Sequence, residues 1–77
     1  MKVSKEIRLN AETARIFVDA ASRCDFDIDI ANRNARNYTV DAKSMLGVMG
    51  LDMSNPMLVT YDGNDEGFGK VLESLAE

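Results

Sequence analysis

Val3, Lys5, Ile7 and Leu9 alternate with Ser4, Glu6 and Arg8, the two-residue period of a strand that buries one face. Asn10 follows as an N-cap, because its amide oxygen can accept a backbone N–H that the first helical turn leaves open. From Ala11 the period lengthens. Ala14, Phe17, Val18 and Ala21 fall at i, i+3, i+4 and i+7, which predicts a helix ending near Arg23. Phe26, Ile28 and Ile30 then alternate with Asp25, Asp27 and Asp29 as a second strand whose acidic face points to water. Residues 32–37 (Asn-Arg-Asn-Ala-Arg-Asn) read as a hairpin tip, with Tyr38 and Val40 beginning the return strand. Ser44 caps a short helix running to about Met49, with Gly50 as its stop. Met57, Val59 and Tyr61 alternate with Leu58 and Thr60 as the last strand. Asp65 and Glu66 suit the positive end of a final helix, whose stripe is Phe68, Val71, Leu72 and Leu75. Gly67 and Gly69 weaken its first turns by roughly 1 kcal/mol each relative to alanine.

The order is β-α-β-β-α-β-α. Strands with one apolar face, interleaved with amphipathic helices, imply an α+β fold in which one sheet is covered on one side by helices. Seventy-seven residues make a single domain, 1–77, with a thin core, since a chain of this size buries only about 60% of its unfolded surface. Function is therefore expected on the surface. The net charge of −4 argues against nucleic acid and for a protein partner. No apolar run follows Met1 and no stretch approaches membrane-spanning length, so a cytoplasmic protein without membrane insertion is expected. One cysteine, Cys24, allows no internal disulfide.

One segment is specific enough to suggest a family. Residues 40–49, Val-Asp-Ala-Lys-Ser-Met-Leu-Gly-Val-Met, resemble the stretch around the regulatory serine of HPr, the phosphocarrier of the bacterial sugar phosphotransferase system, whose pattern is close to V-x-x-K-S-I-M-G-V-M. Ala21-Ser22-Arg23, followed by Asp27-Ile28, resembles the end of the family's first helix and the start of its second strand. The resemblance implies an open-faced β-sandwich, a four-stranded antiparallel sheet with three helices on one face.

The family's active-site motif, roughly G-I-H-A-R-P-A, has no counterpart in chemistry here. Counting back from Ala21 without gaps puts Asn10 at the histidine, Ala11 at the alanine, Glu12 at the arginine, Thr13 at the proline and Ala14 at the second alanine. The chain contains no histidine at all. A carrier needs an imidazole nitrogen that is nucleophilic near neutral pH, whereas an amide nitrogen is delocalised into its carbonyl. Glu12 would repel the phosphoryl group that arginine would clamp. Catalytic residues are therefore expected to be absent, with Asn10 serving the helix.

Around Ser44 the matching residues survive. The resemblance implies a target for a regulatory serine kinase, and a phosphate there would face open backbone N–H groups. A plain N-cap is the competing reading. Met45, Leu46, Gly47, Met49 and Met53 are the candidate docking residues, because so short a helix cannot turn all its apolar side chains inward. The competing reading puts Leu46 and Met49 in the core.

Other constellations fail. Asp25, Asp27 and Asp29 open like a calcium loop, but Ile30 stands at the sixth position and Arg36 at the twelfth, so no metal is expected. Cys24 has no histidine to activate it and reads as a small buried hydrophobe. Arg33 and Arg36 could touch phosphates but also suit a solvated loop. The reading that results is a non-enzymatic HPr-like protein without cofactors. It regulates or binds a partner through the helix that starts at Ser44, under serine phosphorylation. The partners implied are a serine kinase, a transcriptional regulator or a phosphotransferase-system component. The alternatives are a phosphocarrier-type component using another residue, and an HPr-fold binding module using the 32–37 hairpin.

Overall fold

The computed structural model describes residues 2–76. Its strands are β1 (Lys2–Ile7), β2 (Ile28–Asn32), β3 (Val40–Asp41) and β4 (Met57–Asp62). Its α-helices are α1 (Ala11–Ser22), α2 (Met45–Met49) and α3 (Glu66–Leu75), and the chain order is βαββαβα. The strands form one antiparallel sheet in the order β1-β4-β2-β3, so the last strand in sequence lies inside it.

The register follows the apolar alternation. Met57 faces Ile7 across β1, and Val59 and Tyr61 face Ile30 and Ile28 across β2. All of these side chains are buried in one core with Phe17 of α1, Val48 of α2, and Phe68 and Leu72 of α3. Each large side chain buried this way contributes about 1.5–3 kcal/mol. Aromatic rings tie the layers together. Phe17 meets Phe68 at 5.9 Å between centroids, Phe68 meets Tyr61 edge-on at 5.3 Å, and Tyr61 stacks on Phe26 at 5.4 Å. Gly63 lies so close to this stack that a Cβ there would sit 2.5 Å from the Phe26 ring, so any side chain at position 63 would displace Phe26.

Helix ends are satisfied by side chains. The Asn10 amide oxygen accepts from the Thr13 N–H at 2.9 Å, and the Thr13 hydroxyl accepts from the Asn10 N–H at 2.8 Å. This reciprocal box consumes two orphan groups at the start of α1. The last turn of α1 has no basic residue. Lys43 supplies the missing cation from outside, donating from Nζ to the Cys24 carbonyl at 2.9 Å.

Four sequence expectations are corrected. The first strand ends at Ile7 rather than Leu9, because Arg8 donates its N–H to the Leu75 carbonyl as the chain turns toward α1. The second strand begins at Ile28, since Phe26 leaves the sheet to stack on Tyr61. Tyr38 does not belong to the return strand: its N–H closes a turn onto the Ala35 carbonyl, and its side chain is 71% exposed. Asn32 is not part of a solvated tip. It ends β2, only 8% exposed, and its amide grips the backbone of Asp52 from both sides, donating to the carbonyl at 2.7 Å and accepting from the N–H at 2.9 Å.

That clamp joins β2 to the loop before β4. Asn32→Ala leaves two backbone groups unpaired and is expected to cost about 1–3 kcal/mol, read as a lower urea midpoint at unchanged m-value. The Asp52 carboxyl sits below its ordinary range, chiefly because the Ser54 hydroxyl donates to it at 2.6 Å, with the Ser54 N–H and the Asn55 amide adding to the effect. A carboxyl depressed in the fold adds stability above its unfolded pKa, and that stability is lost as pH falls through the folded value. Acid unfolding followed by circular dichroism from about pH 5 downward is therefore expected to be shallower in Asp52→Asn.

Candidate functional site

Three surfaces hold the residues singled out by the sequence. The first is the start of α1. Asn10, Ala11 and Glu12 are all exposed, so the position is accessible, but the amide oxygen of Asn10 is committed to the capping box. The exposed Glu12 places a carboxylate in the first turn, where it favours the helix and repels an incoming phosphate. The amide nitrogen of Asn10 is conjugated with its carbonyl and is not a nucleophile.

The second surface is α2. Ser44 takes an extended conformation, and its hydroxyl oxygen accepts from the Gly47 N–H at 3.1 Å. Gly47 is half-buried, and a Cβ there would approach both the Ser44 hydroxyl and Val40 to 3.3 Å, so its absence lets the helix settle on β3. Val48 alone of the helix is buried. Leu46 is 89% exposed, Met49 46% and Met45 36%. Met53, beyond the helix, is half-buried against the core. Of the five docking candidates, then, Met45, Leu46 and Met49 offer apolar surface, whereas Gly47 and Met53 serve packing.

Sequence reasoning missed Ile16, which is 55% exposed on α1, the helix that packs beside α2. The signal was present: Ile16 falls opposite the stripe of Ala14, Phe17, Val18 and Ala21, where a large apolar residue has no core to enter.

The third surface is the turn after β2, a 3₁₀ segment at Arg33–Ala35 followed by Arg36, Asn37 and Tyr38. Arg33 is held by Glu6 at 3.2 Å, an exposed pair worth little by itself.

The remaining chemistry-bearing groups are accounted for by the fold. Cys24 is buried, with its thiol directed at the Ala20 carbonyl 3.6 Å away, and burial first, then the charge of Asp65, raises its pKa. Burial likewise pushes the Tyr61 phenol up. Asp25, Asp27 and Asp29 are exposed, and among the described residues no three acidic, cysteine or histidine side chains converge as a metal site would require. A concavity of about 670 Å³ between β1 and α3 is lined by Val3, Tyr61, Asp65, Lys70 and Glu73 among others. No helix among the described residues is long and apolar enough to cross a membrane.

A four-stranded antiparallel sheet in the order β1-β4-β2-β3 under three helices, with a capped α1 and a serine-capped α2, defines an open-faced sandwich of phosphocarrier type. Comparison gives the particular family. Residues 1–77 match the family described as the PTS HPr component phosphorylation site, and the chain belongs to it. Among solved structures it is similar to a phosphocarrier protein HPr from Bacillus anthracis str. Ames, with 27% identity, a TM-score of 0.70 and 96% of each chain covered. It is also similar to HPr-C-His from Thermoanaerobacter tengcongensis, with 28% identity and a TM-score of 0.68, covering 96% of this chain and 92% of that one. No curated protein sequence matches.

Removing the α1 cap with Asn10→Ala is expected to cost about 1 kcal/mol in urea unfolding, whereas Asn10→Asp keeps the acceptor and is expected to cost little. Cys24 in the native protein is expected to react with iodoacetamide far more slowly than in urea, which mass spectrometry reads directly.

Proposed function

We propose that this HPr-family protein does not carry phosphate but binds a protein partner through α2, and that phosphorylation of Ser44 regulates the contact. The observation that carries the reading is Leu46. A leucine 89% exposed on a five-residue helix, flanked by the exposed Met45 and Met49, is stabilising only if another surface covers it. Flexible methionines beside it suit a contact that adapts to its partner. A transcriptional regulator or a component of sugar uptake is the kind of partner this family membership favours.

The chemistry on α1 supports the first half. Handing on a phosphoryl group needs a basic lone pair, and the Asn10 side chain has none: its oxygen caps the helix and its nitrogen is conjugated. Ser44 supports the second half. Ser44 is only half-buried, and a dianionic phosphate beside Leu46 and Met45 would change the docking surface from apolar to strongly anionic.

Incubation with a bacterial HPr kinase and ATP is expected to label Ser44, and Ser44→Ala to abolish the label. Leu46→Ser and Met49→Ser are expected to remove partner capture in pull-downs while shifting stability by less than about 0.5 kcal/mol, because both side chains are exposed. No label on Ser44 together with no partner sensitive to Leu46 would end the proposal. The competing phosphocarrier reading expects an acid-labile phosphate after incubation with phosphoenolpyruvate and the first enzyme of the system; we expect none.

A further inference from the structure

The turn after β2 carries positive charge on an acidic protein. The chain carries a net charge of −4, yet residues 33–38 hold Arg33 and Arg36 and no carboxylate. The segment is anchored at its root. Asn32 grips the Asp52 backbone, the Arg33 N–H donates to the Pro56 carbonyl at 2.9 Å, and the Tyr38 N–H closes onto Ala35 at 3.0 Å. Its side chains, by contrast, are left over. Arg33 is taken by Glu6, but Arg36, Asn34, Asn37 and Tyr38 have no side-chain hydrogen bond or ion pair among the described residues. Tyr38 is 71% exposed, and these six residues alone line a concavity of about 440 Å³.

We propose that this turn is a docking tip for a short acidic segment of a partner protein, a role separate from the α2 surface. Arg36 supplies a planar fork that matches a carboxylate with two parallel N–H bonds. Tyr38 supplies a rigid ring with a polar end, and arginine and tyrosine are the residues on which binding energy most often concentrates. Asn34 and Asn37 offer amides for the backbone of an extended peptide. Because the turn is already held by its root contacts, little backbone freedom remains to be lost on binding. Nucleic acid fits less well. A phosphate backbone needs a continuous cationic track with repeated stacking partners. Among residues 33–38 a single aromatic ring is present, Tyr38.

The test uses the full chain and a fluorescein-labelled peptide of about eight alternating aspartates and glutamates, followed by anisotropy at low salt, where exposed charge contacts are least screened. Binding is expected, with Arg36→Ala and Tyr38→Ala each weakening it by about tenfold, as loss of an anchor residue does. Lys70→Ala, at the remote α3 concavity, is expected to leave it unchanged, and all three variants to keep the wild-type urea midpoint. The proposal is overturned by any of several results: no binding, binding that ignores Arg36 or Tyr38, equal loss in the Lys70 variant, or tighter binding of oligouridylate than of the peptide. Self-association in sedimentation that disappears with Arg36→Ala would also overturn it, by making a second copy the occupant.

Discussion

The central strand β4 must bury one face, and everything else in this molecule is arranged around that requirement. Met57, Val59 and Tyr61 project to the same side, with β1 and β2 pairing on either flank. A chain this short has only enough apolar material to cover that side once. The edge contact of Tyr61 with Phe68, and of Phe68 with Phe17, is how α3 and α1 close over it. The opposite face of the sheet is left to water, and the acidic side chains of β2 and β3 accept that exposure.

Because the helices are spent on covering the sheet, function is confined to their outer surfaces and to the turns. The start of α1 meets an architectural requirement with a local side chain. An N-cap needs only an acceptor oxygen, and Asn10 supplies one as part of a reciprocal box with Thr13. The proposal that this HPr-family protein does not carry phosphate rests on that side chain being an amide, which has no basic lone pair, in a chain without histidine. In α2 the balance is reversed. Five residues give one core anchor, Val48, and leave Met45, Leu46 and Met49 exposed.

Polar contacts between distant segments complete the structure, and each joins parts that the core alone would leave loose. Asn32 ties β2 to the loop before β4. Lys43, nineteen residues beyond Cys24, donates to the carbonyl just past the end of α1. Both use long-range partners to satisfy backbone groups that local sequence does not reach.

Element order, the capping roles of Asn10 and Ser44, the helical stripes and the absence of an imidazole are all legible along the chain, because each depends on neighbours within four residues or on composition. The ends of the first two strands, the outward position of Ile16 and the true place of Asn32 were not. Leu9 continues the alternation but lies past a turn set by Leu75; Phe26 continues it but answers to Tyr61. Which of the apolar side chains of α2 face the core likewise depends on where β3 stands. Local periodicity specifies which face of a segment is apolar; only the packing of segments far apart in sequence decides whether that face meets another surface or water, since burial is a property of the pair and not of either member.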